Sequence, residues 1–107
     1  MILFQPKHVP LILDGRKRQT RRLGKKRCNV GSIHQARTKL FGEPFARLRI
    51  CAVEQQRLGD ITVEEARAEG YDSIYDFRQA FWKINGYPKN MDDLEVWVIK
   101  FKLEAPE

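Results

Sequence analysis

The sequence predicts a small α+β domain, and three observations carry that prediction. Phe45 to Val53 and Leu94 to Leu103 alternate apolar and polar side chains with the period of a strand. Between them, Thr62 to Gly70 and Ser73 to Gly86 each open on a helix-capping residue and close on a glycine. The resulting order is strand, helix, basic segment, strand, strand, helix, helix, strand, without repeats, low-complexity tracts or linkers. With 107 residues there is chain enough for one core and not for two, so a single domain over residues 1–107 is expected.

In chain order, Ile2 to Phe4 reads as a short buried strand that ends before Pro6. Pro10 is tolerated only in a first helical turn, where its missing N–H would be unpaired anyway, and Gly15 suits a left-handed stop. The expectation is a helix of one to two turns that a glycine turn delivers into the run Arg16 to Arg27. In that run, eight of twelve residues are Lys or Arg. Continued as a regular strand, Lys17, Gln19 and Arg21 share one face and Arg18, Thr20 and Arg22 the other. Lys17 and Thr20 converge only if the chain turns or bulges after Gly15.

Residues 24–31 read as a loop, Ser32 to Arg37 as a short strand, and Gly42 with Pro44 as a turn. In the strand Phe45 to Val53, Ala46, Leu48, Ile50 and Ala52 form an apolar face opposite Phe45, Arg47, Arg49, Cys51 and Val53. The two arginines are expected to line a positive surface. Thr62 with Glu65 three residues on predicts a capping box, with Ile61 stapled onto Ala66. Glu69 then falls at the helix C-terminus, where the dipole disfavours a carboxylate; such local conflicts concentrate at functional positions. Ser73 caps a second helix, with Ile74, Phe77, Phe81 and Ile84 as its apolar stripe. In the last strand Trp97, Ile99, Phe101 and Leu103 face one way, and Lys100 and Lys102 the other.

Composition narrows the function. The net charge is +6, but residues 1–59 hold 14 basic and 3 acidic side chains and residues 60–107 hold 6 and 11, so the halves carry +11 and −5. Such asymmetry points to a polyanionic partner. Two unpatterned cysteines argue for a reduced, cytoplasmic protein. The apolar start Met1 to Phe4 is too short for a signal core, and no apolar run approaches the roughly 20 residues that span a bilayer. No membrane partner and no cofactor is implied, and a monomer is the expected state.

Three constellations compete for the chemistry. Arg21, Arg22, Arg47 and Arg49 suit a groove that neutralises phosphates, with Phe45 or Tyr71 as a stacking surface; the alternative is a merely solvated basic face. His8, Cys28, His34 and Cys51 lack the spacing of a metal site, and neither His sits in a nucleophile context. The third set is Lys17, Thr20 and Glu69. A lysine crowded by Arg16, Arg18, Arg21 and Arg22 should lose its proton more readily, take that of a threonine hydroxyl, and be oriented by a carboxylate. By spacing alone the same three read equally as a phosphate contact, a strand residue and a salt-bridge partner.

Gly15-Arg16-Lys17-Arg18-Gln19-Thr20-Arg21-Arg22 resembles the G-x-K-x-x-x-x-R signature of the ASCH (ASC-1 homology) family. The stretch Asp60 to Tyr71, then Phe77 and Trp82, and the closing strand Val96 to Phe101 are similar to that family in order and spacing. The resemblance implies a PUA-like fold, a small mixed β-barrel with flanking short helices, and a positive cleft that binds RNA or a nucleoside or nucleotide. It places Gly15, Lys17 and Arg22 in that cleft, with Arg18, Arg21, Lys25, Lys26, Arg27, Arg47 and Arg49 as further nucleic-acid contacts. Some small bacterial members of the family act as N4-acetylcytidine amidohydrolases through a Lys, a Thr and a Glu, which correspond to Lys17, Thr20 and Glu69; others are reported to cut RNA. Arg18 after Lys17, and the basic residues beyond Arg22, depart from the family pattern and favour a larger polyanion over a free nucleoside.

Overall fold

Two short edge strands and three longer ones make up the sheet in the computed structural model, which describes residues 1–104. Their order across the sheet is β1 (Ile2–Leu3), β3 (Ile33–Arg37), β4 (Ala46–Arg57), β5 (Glu95–Leu103), β2 (Gln19–Arg22). Only the β1–β3 pair is parallel among the described strands. The sheet curls into a half-barrel, so β1 and β2 are its edges and face each other across an open seam. Helix α1 (Val9–Leu13) follows a 3-10 turn at Pro6–His8, whereas α2 (Val63–Ala68) and α3 (Ile74–Ile84) lie together between β4 and β5 in sequence.

Local chemistry explains the helices. Thr62 accepts from the Glu65 amide at 3.1 Å while the Glu65 carboxylate accepts from the Thr62 amide at 3.1 Å, so the capping box forms as expected. Ser73 caps α3 through the Asp76 amide. Both caps satisfy donors that the first turn would leave unpaired. Phe77 and Phe81 are buried, but Ile84 is exposed and Ile74 only half-buried, so the apolar stripe of α3 is narrower than its spacing predicts.

Two hydrophobic clusters share the sheet. Inside the half-barrel lie Ile2, Phe4, Ile12, Ala36, Leu48, Ile50, Ile99 and Phe101; on the other side Val96 and Val98 pack with Leu58, Ile61, Ala66, Phe77 and Phe81 under the helices. Strand β5 is thus buried on both faces over its first half, which its simple alternation does not announce. Strand β4 also departs from simple alternation. It runs to Arg57, and between Ile50 and Ala52 its register with β5 slips by one residue. Cys51 is left over at that bulge, and beyond it Val53, paired with Ile99, turns to the core in place of Ala52. No described helix is long and apolar enough to cross a membrane.

Candidate functional site at the seam of the half-barrel

The basic run enters the site through a turn at Gly15. Gly15 has φ +85°, in the left-handed region that glycine tolerates. The chain folds back so that the Lys17 amide donates to the Leu11 carbonyl and the Arg18 amide to the Ala68 carbonyl, each at 2.9 Å. Strand β2 begins only at Gln19. Lys17 therefore precedes the strand and is freed from its alternation. Lys17, Gln19, Thr20 and Arg21 are all buried.

The faces of β2 have separate tasks. Arg21 points under α2, where its guanidinium meets both carboxylates of one helix face. Its Nη1 donates to Glu69 Oε2 at 2.9 Å and its Nη2 to Glu65 Oε2, while Nε and Nη2 reach Gln56 Oε1 at 3.0 and 2.8 Å. Arg21's side chain is wholly inaccessible. Thr20 and Arg22 face the seam. Arg22 Nε donates to Thr20 Oγ1 at 3.0 Å, and Nη2 donates to the Leu3 carbonyl at 2.7 Å. One guanidinium thus ties edge strand β2 to edge strand β1.

Beneath this tie, Lys17 Nζ donates to the Glu69 carbonyl at 2.6 Å and lies 3.7 Å from Glu69 Oε1. The cation sits at the C-terminus of α2, where the dipole favours it, and so offsets the unfavourable placement of the Glu69 carboxylate. Burial lowers the pKa of Lys17 to about 8, helped by Arg22 and Arg21 and opposed by Glu69. Desolvation leads, and Arg16 and Arg18 take no part: both side chains are exposed, and Arg16 pairs with Asp72. The expected crowding by Arg16, Arg18, Arg21 and Arg22 thus acts only through Arg21 and Arg22, and burial outweighs it. Burial likewise pushes the Glu69 carboxyl upward against the pull of Lys17, Arg21 and Arg22.

Lys17, Thr20, Arg22 and Glu69 line one cavity of about 1010 Å³, with Phe4, His8, Cys28 and Tyr71 among its other walls. Phe4 lies beneath both cations, its ring centroid 5.9 Å from Lys17 Nζ and 5.5 Å from the Arg22 guanidinium. Tyr71 stands edge-on to His8 and to Phe77.

The remaining expected contacts divide by position. Arg21 and Arg27 line the cavity, but Arg21 is occupied by Glu65, Glu69 and Gln56 and has no open face for a phosphate. Gly15, Arg18, Lys25 and Lys26 are exposed outside the lining. Arg47 and Arg49 also lie off it; Arg49 pairs with Glu104 at 2.8 Å. The expectation that this strand lines the positive surface therefore fails at the cleft, because the seam opens between β1 and β2 and not over β4. Phe45 packs edge-on to Phe4 in the core, which leaves Tyr71 as the stacking candidate that reaches the cavity. His8, Cys28 and His34, weighed in the sequence as metal ligands and, for the histidines, as nucleophile partners, turn out to be walls of this cavity; no group of three metal-binding side chains occurs among the described residues.

Comparison with solved structures decides the fold. An ASCH domain from Lactobacillus crispatus JV V101 superposes with a TM-score of 0.75 at 22% identity, over 89% of this chain and 69% of that one. The fold is that of an ASCH domain. Two further structures agree with an ASCH-type fold. Protein EF3133 from Enterococcus faecalis V583, of the DUF984 family model, gives a TM-score of 0.70 at 18% identity, over 96% of this chain and 81% of that one. The hypothetical protein PH0355 gives 0.70 at 16% identity over 94% of both chains. No protein-family model matches the sequence, and no curated protein matches it. In this ASCH-type fold the seam cavity lies where the two hydrophobic clusters approach each other, with Phe4 and Ile99 on one side and Phe77 and Phe81 on the other.

Proposed function

We propose that the seam cavity binds one nucleotide unit, as part of single-stranded RNA or as a free nucleotide. The observation that carries this reading is the convergence of Lys17, Thr20, Arg22 and Glu69 on one cavity with Arg27 at its wall. Its volume matches the upper end of small-ligand pockets, roughly 300–1,000 Å³. Arg22 spends two of its five N–H donors on Thr20 and Leu3, so three remain for an anion. The exposed Lys25 and Lys26 sit in the loop beyond and steer a polyanion by long-range attraction. The ASCH-type fold agrees with an RNA ligand.

Titrating a short single-stranded RNA at several salt concentrations tests the reading. Affinity is expected to fall with salt at a log-log slope of roughly 0.7 per contacted phosphate. It should also drop at least tenfold, about 1.4 kcal/mol, in a Lys17→Ala, Arg22→Ala double variant that remains folded. Affinity indifferent to both salt and the double substitution would overturn it.

A second reading, hydrolysis of an N-acylated cytidine, is favoured by one feature: Glu69 lies 3.7 Å from an amine whose pKa is about 8. Roughly a tenth of such amines are neutral at pH 7. In this reading Thr20 Oγ1 attacks the acyl carbon and its proton passes to neutral Lys17 Nζ. The C–N bond then breaks, the leaving nitrogen takes that proton back, and water releases the acyl group from Thr20 as a carboxylic acid. Loss of the acetyl group from N4-acetylcytidine, followed by absorbance, is expected to stop in Thr20→Ala and to persist in part in Thr20→Ser. Full turnover in Thr20→Ala removes Thr20 as nucleophile, and an inert wild-type protein removes the reading. The same protein incubated with labelled RNA shows whether the strand itself is cut.

A further inference from the structure

Two aromatic rings at the C-terminus of α3 stand outside both hydrophobic clusters: Trp82 is 38% exposed and Tyr87 58%. The way the helix ends brings them together. Asn85 closes it and Gly86 follows at φ +77°; the Tyr87 amide donates back to the Trp82 carbonyl at 2.8 Å and the Gly86 amide to the Lys83 carbonyl at 3.4 Å. Such a closure sets the residue two beyond the cap against the residue three before it. Here these are Tyr87 and Trp82, perpendicular at 85° with ring centroids 4.7 Å apart. An edge laid on a ring covers at most one face of it, so flat faces stay open to solvent. The closure explains the contact but not the backbone at its end. Tyr87 has φ +58°, an uncommon conformation for a bulky side chain, and such positions cluster at ligand clamps and other functional sites. With both its amide and its ring held by Trp82, Tyr87 is ordered before a ligand arrives, which lowers the cost of binding.

Charge and position identify the occupant. Residues 60–107 carry a net −5, yet residues 77–91 within them hold Arg78, Lys83 and Lys89 and no acidic side chain. Arg78 is paired with Asp92. Lys83 and Lys89 are exposed, and neither joins an ion pair among the described residues. A ring face suits a nucleobase and offers nothing to a phosphate; an ammonium does the reverse, and the two side by side suit a strand that has both. Ile84 and Asn85 line the seam cavity. Asn85 stands three residues from Trp82, so the two are neighbours on the helix surface. A strand that leaves the cavity past Asn85 meets the rings.

We propose that Trp82 and Tyr87 form a stacking platform for single-stranded RNA, on which a base of the strand rests outside the seam cavity, with Lys83 and Lys89 beside its phosphates. The assignment rests on the nucleotide reading above and adds a second contact beyond the unit held in the cavity. Every base has a flat face, so the platform lengthens the site without reading sequence.

Intrinsic fluorescence and affinity, measured with uridine 5′-monophosphate, a uridine hexanucleotide and an adenosine hexanucleotide, test this. The chain has two tryptophans, and the other, Trp97, is tied through its Nε1 to the Gly24 carbonyl at 3.0 Å. Both hexanucleotides should quench Trp82, seen as quenching that wild type shows and Trp82→Phe lacks, and the monophosphate should not. Trp82→Leu should weaken both hexanucleotides about tenfold, near the lower end of the loss on removing one stacking ring, and leave the monophosphate as before. Trp82→Phe, which keeps a flat face, should retain most of the affinity. Tyr87→Gly, which suits the left-handed backbone and removes only the ring, should behave as Trp82→Leu does. Hexanucleotides that bind Trp82→Leu and Tyr87→Gly as tightly as wild type overturn the platform; if that binding still needs Lys17 and Arg22, the nucleotide reading stands. Self-association of the wild type in sedimentation that Trp82→Leu abolishes, with RNA affinity unchanged, also overturns it and assigns the rings to a second copy of the chain. Hexanucleotide binding lost in Trp82→Leu but indifferent to the Lys17→Ala, Arg22→Ala double variant keeps the platform and overturns the cavity as the nucleotide's place. A wild type that binds none of the three compounds overturns both.

Discussion

Replacing Arg21 by methionine is expected to lower folding stability by about 3–5 kcal/mol, the usual consequence of stranding a buried ionic partner. The guanidinium is wholly inaccessible, pairs with Glu69 and Glu65, and fills both Gln56 contacts. Without it, Glu69, itself buried, keeps only Lys17 at 3.7 Å, and Gln56 Oε1 loses two donors. Methionine keeps most of the volume, so a cavity term contributes little and the loss reports the charge. Urea denaturation at neutral pH measures it directly, and Arg18→Met, an exposed neighbour in the same run, should shift stability by no more than about 0.5 kcal/mol. A loss below about 1 kcal/mol for Arg21→Met would mean that Glu65 and Glu69 are satisfied without it. The same change should not alter the salt slope of RNA binding, because Arg21 has no phosphate to release.

That contrast marks the limit of what the residues disclose by themselves. The capping box of Thr62 and Glu65 and the cap at Ser73 are legible because they are local: both partners lie within three residues, and the spacing is the structure. The turn at Gly15 is legible for the same reason, since only a chain that breaks after it brings Lys17 and Thr20 to one cavity. The two-sided burial of β5 is less so. Val96 and Val98 interrupt a pattern set by Trp97, Ile99 and Phe101, and only the covering helices explain why both sets are apolar. The bulge at Cys51 leaves no trace in the alternation of β4 up to Ile50, yet it reverses every side chain beyond it. The charge balance misleads in an instructive way. A first half at +11 and a second at −5 suggest an external polyanion, but part of that difference is consumed internally, where Arg21 meets Glu65 and Glu69, and Lys17 meets Glu69. Glu65 and Glu69 stand four residues apart on one face of α2. That spacing is the sequence signal for a shared cation, though it names no partner across 44 and 48 residues.

Lys17 should reveal itself as a stability that rises with pH where most proteins lose theirs. Its pKa falls from 10.5 in the unfolded chain to about 8 in the folded one. Below pH 8 both states hold the proton, and the native state bears the full cost of a buried ammonium. Between about pH 8 and 10.5 the unfolded chain binds more protons than the folded one, so stability increases with pH by the linkage relation. The shift corresponds to about 3 kcal/mol over that window. Other lysines and tyrosines titrate there too, so the quantity to measure is the difference between wild type and Lys17→Met in urea denaturation at pH 7.5, 9 and 10.5. Wild type should gain about 3 kcal/mol on the variant across that series. Glu69 does not imitate the signal: its raised pKa gives a contribution that is complete at acid pH and lost as pH climbs from its ordinary value of 4.5 through its folded one. A difference that stays flat would mean that Glu69 holds the lysine charged throughout. The amine would then be an anion-binding point charge with no capacity to take a proton from Thr20, and the hydrolytic reading would lose its base while nucleotide binding kept its cation.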